Sequence, residues 1–91
     1  MLYLYYKKSE VFIMKKVLVK LNDSTLIKSF VNIINKCPFD LDLRSGRYVV
    51  DAKSILGIFS LDLSQPIELE ILSDDTQEID KLLDDIKDFV Q

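Results

Sequence analysis

Ser54 stands immediately before Ile55-Leu56-Gly57-Ile58-Phe59, a short and almost wholly apolar run in a chain of which 30% is charged. A serine that opens a short helix has two chemistries. Its hydroxyl can accept a hydrogen bond from an amide two or three residues on, which stabilises the first turn by about 1 kcal/mol. The same amides, with the positive end of the helix dipole, favour a phosphate, so the residue also reads as a site of regulated phosphorylation. The two uses are compatible. The apolar residues after it occupy several directions, and a short helix buries only one side. The spacing predicts that Ile58 and Leu61 turn inward while Ile55, Leu56 and Phe59 form a small apolar surface of the kind that marks a protein contact. The competing reading is that flanking loops cover them all. Gly57 costs a helix roughly 1 kcal/mol relative to alanine, which implies a close backbone approach there.

The other candidates for chemistry are weaker. Asp40, Asp42, Asp51, Glu68 and Glu70 fall on the outward positions of alternating segments, where solubility accounts for them, and paired carboxylates for acid/base work need a cleft that shifts one pKa. Asp74, Asp75, Glu78, Asp80, Asp84 and Asp85 include a group that complements a helix dipole but lack the glycine and spacing of a calcium loop. Cys37, beside Pro38, has no neighbouring base and reads as packing. A single thiol forms no internal disulfide and points to a reducing compartment, the cytoplasm. The sequence contains no histidine. That removes imidazole bases, histidine metal ligands, phosphohistidine and every Ser/His or Cys/His nucleophile. No metal, cofactor or enzymatic activity is therefore expected. Twelve Lys and Arg against fifteen Asp and Glu give a net charge of −3, which argues against a nucleic-acid surface.

These residues need elements to position them. Val17, Val19 and Leu21 alternate with polar or outward positions as a one-sided strand. Asn22-Asp23-Ser24 offers N-caps for an amphipathic helix whose Ile27, Phe30, Val31 and Ile34 share a face, and Pro38 stops it. Phe39, Leu41 and Leu43 alternate in a second strand, Ser45-Gly46 turns it, and Arg47 to Asp51 returns as a hairpin. After the short helix, Ile67, Leu69 and Ile71 alternate with Glu68 and Glu70. Ser73 to Thr76 then caps a last helix with an apolar stripe of Ile79, Leu82, Leu83, Ile86 and Val90. At 91 residues there is one core. Four one-sided strands and amphipathic helices make an α+β sandwich of two layers, its mostly antiparallel sheet covered on one face and charged toward water on the other.

The first thirteen residues, MLYLYYKKSEVFI, precede a second methionine, and MKKVLVKL looks like a natural start. Glu10-Val11 can be encoded GAGGT, which resembles a ribosome-binding site upstream of Met14. Residues 1–13 are expected to be an extraneous or disordered extension, with the domain at 14–91; the alternative is an extra edge strand from Leu2 to Tyr6. The segment has neither a signal-peptide core with a cleavage site nor the length of a membrane span.

Ala52 to Ile71, AKSILGIFSLDLSQPIELEI, is similar to the regulatory-serine motif, short second helix and following strand of the histidine-containing phosphocarrier (HPr) family of the bacterial sugar phosphotransferase system. Weaker similarity runs from Val17 to Phe89. The resemblance implies an HPr-like open-faced β-sandwich, a four-stranded antiparallel sheet covered on one face by two long helices and one short one. It also implies that Ser54 matches the serine phosphorylated by a dedicated kinase and then read by a transcription regulator, with Ile55, Leu56 and Phe59 as the docking helix. The family's phosphorylatable histidine, followed by an arginine and a proline, has no counterpart. Its place falls at or near Asp23, in the shortened loop Leu21 to Leu26, and Asp23 reads as a helix cap. The expected role is thus a regulator of carbon metabolism on the HPr scaffold without phosphohistidine carriage, or else a constitutive protein-interaction module of the same fold in which Ser54 only caps.

Overall fold

The computed structural model describes residues 15–91. The Met14 start, the extension 1–13 and the alternative strand over Leu2 to Tyr6 lie outside the described residues. Seven elements follow in order: β1 (Lys15–Val19), α1 (Ser24–Ile34), β2 (Asp40–Ser45), β3 (Tyr48–Asp51), α2 (Ile55–Phe59), β4 (Ile67–Leu72) and α3 (Thr76–Asp85). The strands form one antiparallel sheet in the order β1-β4-β2-β3. Each strand points alternate side chains to one face. Val19, Leu41, Leu43, Ile67, Leu69 and Ile71 meet Ile27, Phe30 and Ile34 of α1, Ile58 of α2 and Ile79 and Leu82 of α3 in a single buried cluster. The expected α+β sandwich is therefore present, with helices on one face only.

Local chemistry sets the boundaries. Asp23 caps α1 by accepting from the Thr25 amide at 2.7 Å, and Asp75 caps α3 by accepting from the Glu78 amide at 3.1 Å. At the C-terminus of α1, Asn35 returns its side-chain amide to the Val31 carbonyl at 2.9 Å, three residues ahead of Pro38. Ser45 pairs with Tyr48 across a two-residue turn, and Gly46 takes φ +62° there, a left-handed conformation that an L side chain resists.

Two expectations are corrected. α3 ends at Asp85 rather than continuing to Val90, because the last residues find better partners on the edge of β1. The Lys20 amide donates to the Phe89 carbonyl and the Gln91 amide to the Leu18 carbonyl, each at 2.8 Å. Phe89 then fills the core, edge-on to Phe30 at 5.6 Å, and Val90 is left partly exposed. The outer face of the sheet is also not uniformly solvated: Glu70 is only 2% exposed, with its carboxylate 2.8 Å from Arg44 Nε.

Candidate functional site

α2 is held between β3 and α1. Its axis is fixed by Ile58, which is fully buried, and by Leu61 just beyond it. Ser54 precedes the helix in an extended conformation, and its Oγ accepts from the Gly57 amide at 3.1 Å, while the Ile58 amide donates to the Ser54 carbonyl at 3.0 Å. The serine is thus the N-cap that its position led one to expect. A first turn leaves its leading amides without partners inside the helix, so the half-buried hydroxyl stands beside donors that its own oxygen does not use up.

Gly57 explains how the helix can lie so low. A Cβ placed there would meet Cβ of Val50 at 3.2 Å and Oγ of Ser54 at 3.3 Å. Glycine therefore lets α2 rest on β3 and keeps space around the capping hydroxyl. On the far side of the helix, Leu56 is 81% exposed and Phe59 49%, with Ile55 at 36%. The helix thus carries its serine at one end and an uncovered apolar surface along its outer side. Tyr48, also exposed, projects from the adjacent hairpin strand.

Lys53, just before the serine, is tied to the end of α1: its Nζ donates to the Cys37 carbonyl at 3.0 Å, and its amide donates to Asp51 Oδ1 at 2.8 Å. These bonds join the β3–α2 connection to α1 and fix where Ser54 stands.

A family model described as the PTS HPr component phosphorylation site matches residues 25–91, which includes all of this helix and its serine. The chain belongs to the HPr family. Among solved structures it is similar to HPr-C-His from Thermoanaerobacter tengcongensis, at 29% identity over 81% of this chain and 92% of that one, with a TM-score of 0.65. It is also similar to a phosphocarrier protein HPr from Bacillus anthracis str. Ames, at 27% identity over 85% of this chain and 94% of that one, with a TM-score of 0.59. Comparison with curated proteins gave no match.

The HPr match begins two residues after Asp23, the position assigned to the absent histidine. Asp23 is exposed and spends its carboxylate on the Thr25 amide, with φ −143° in the extended region. Nothing in that geometry distinguishes it from an ordinary cap. It caps α1, whereas Ser54 caps α2.

The remaining candidates do not converge on a reaction. Cys37 lies in a cleft of about 220 Å³ between α1 and α3, with Ile33, Glu78, Lys81 and Leu82. Burial first, then the nearby carboxylates, pushes its thiol up, against the opposing pull of Lys53 and Lys81, so it stays protonated at neutral pH. Among the described residues no group of three His, Cys, Asp or Glu side chains is placed to hold a metal ion. No described helix is long and apolar enough to cross a membrane. Sequence reasoning did not find the Lys53 link to α1, because a contact sixteen residues apart leaves no trace in local periodicity.

Proposed function

We propose that this HPr-family protein is a regulatory interaction protein rather than a phosphohistidine carrier, switched by phosphorylation of Ser54 and docking on its partner through Ile55, Leu56 and Phe59. The observation that carries the reading is the joint placement of a capping serine and an uncovered apolar surface on one five-residue helix. Phosphorylation adds about two negative charges and three acceptor oxygens. On Ser54 these would lie beside the leading amides of α2, next to the surface that a partner would contact. A partner that reads both features distinguishes the two states by charge while gaining affinity from the apolar residues. The partners of this reading are a serine kinase and a transcription regulator, the setting is the cytoplasm, and no catalytic step is assigned to the chain.

The complete lack of histidine supports the negative half of the proposal, since the phosphocarrier chemistry of the family needs an imidazole and none is present. The alternative is a constitutive interaction module. It is favoured by one specific observation: the 3.1 Å bond to the Gly57 amide is sufficient reason for a serine at position 54. Incubation of the purified protein with an HPr kinase and ATP, followed by intact mass and peptide mapping, separates the two. One phosphate on Ser54 is the expected result. No incorporation would leave the serine a cap and the protein a module with an unswitched docking surface.

A further inference from the structure

The outer face of the sheet plays no part in the reading above. The register places Asp51 of β3, Asp42 of β2 and Glu70 of β4 directly opposite one another, in one row across three neighbouring strands, with Lys16 of β1 at the end beyond Glu70. Side chains directly opposite in an antiparallel ladder stand about 4.5–5.5 Å apart at Cβ, and like charges there repel. The next row sets Glu68 opposite Arg44. The cations of the face serve the glutamates: Arg44 Nε is 2.8 Å from Glu70 and 4.0 Å from Glu68, and Lys16 Nζ is 3.9 Å from Glu68. Neither Asp42 nor Asp51 has an ion-pair partner among the described residues. Asp51 is held in the row, since its Oδ1 accepts the Lys53 amide at 2.8 Å.

We propose that this carboxylate row is a pH-responsive element of the fold: a proton taken up at Asp42, in the middle of the row, strengthens the junction of β3, β2 and β4, so the protein is more stable in mild acid than at neutral pH. The groups that face Asp42 are Glu70 and, diagonally, Glu68 from β4, Asp51 from β3, and Asp40 and Arg44 on its own strand. The helices pack on the opposite face. Burial first, then the charges of Glu70, Asp51 and Asp40, holds the Asp42 carboxyl above the usual range against the pull of Arg44. Glu68 is also held up, by burial first and then by a hydrogen bond with Glu70 beside it, against the pull of Lys16 and Arg44.

The sign follows from linkage. A carboxyl whose folded pKa lies above its unfolded value binds its proton more readily in the folded protein, so stability rises as pH falls through the folded pKa and levels off below the unfolded one.

Urea unfolding of the protein and of Asp42→Asn, at neutral pH and at about pH 4.5, tests the proposal. The variant removes the middle charge and keeps the shape. Its unfolding constant at neutral pH is expected to be roughly three- to tenfold lower than the parent's, and the gap to narrow at the lower pH. Asp51→Asn, which retains the Oδ1 acceptor, relieves the row from its end and should show the same narrowing gap. Asp40→Asn, opposite Leu72 rather than a carboxylate, should show a smaller one. If Asp42→Asn and Asp51→Asn are no more stable than the parent at neutral pH, or hold the same advantage at both pH values, the row is not a pH-responsive element.

Discussion

At the scale of single residues, Ser54 is a helix cap by its hydrogen bonds, and its phosphorylation is the proposal that a kinase assay tests. Ser54→Ala removes the acceptor of the Gly57 amide and should lower stability by about 1 kcal/mol in chemical denaturation. Ser54→Asp keeps a capping oxygen and should recover most of that loss. If both variants match the parent, the cap contributes nothing and the serine needs another explanation. Because Ser54→Ala would abolish both the cap and the proposed phosphorylation, it cannot separate them; the denaturation series reports the cap and the kinase assay tests the proposed switch. Gly46 and Gly57 show why one residue type has two readings. Gly46 is required by a positive φ with open space around it, whereas Gly57 is required by a neighbour 3.2 Å from where its Cβ would be. The turn glycine could be read from its place between two alternating segments. The contact of Gly57 with Val50 could be expected in kind but not in partner.

At the scale of elements, α2 is a five-residue helix too short to be stable alone. Its stability comes from Ile58 in the core, from Ser54 at its start and from Gly57 resting on β3. Ile58→Ala should therefore destabilise the whole domain by about 2–5 kcal/mol. Leu56→Ala, on the exposed side, should change the unfolding free energy by less than about 0.5 kcal/mol while weakening the binding of any partner that docks there. Equal losses at the two positions would mean that Leu56 is covered in solution and that the apolar surface is not free. The inward and outward residues of α2 were legible from spacing because a helix repeats every 3.6 residues. The end of α3 was not. Continuing the stripe to Val90 was the better local pattern, but the edge of β1 offers two backbone hydrogen bonds to residues 89 and 91. Those bonds turn the chain out of the helix, and Phe89 becomes the core residue.

For the molecule as a whole, the proposal separates the HPr scaffold, which the chain has, from the family's phosphorelay chemistry. With no histidine anywhere in the chain, incubation with the phosphotransferase enzymes that charge histidine-bearing HPr proteins should leave its intact mass unchanged. A phosphate that maps to Asp23 would overturn the view of that residue as a cap. The sequence by itself determined the layers, the order of elements, the segments that cap the helices, the turn at Gly46 and the inward apolar residues up to the end of α3, because each depends on interactions within a few positions of chain. It also excluded imidazole chemistry, because composition alone decides that. The tertiary structure alone decided the strand order β1-β4-β2-β3 and the register. Thus Asp42, Asp51 and Glu70 read separately as solubilising charges, yet pairing between distant segments aligns them in one row. Glu70 became a buried carboxylate held by Arg44 for the same reason: strand alternation assigns a residue to a face, while its neighbours on that face come from other strands.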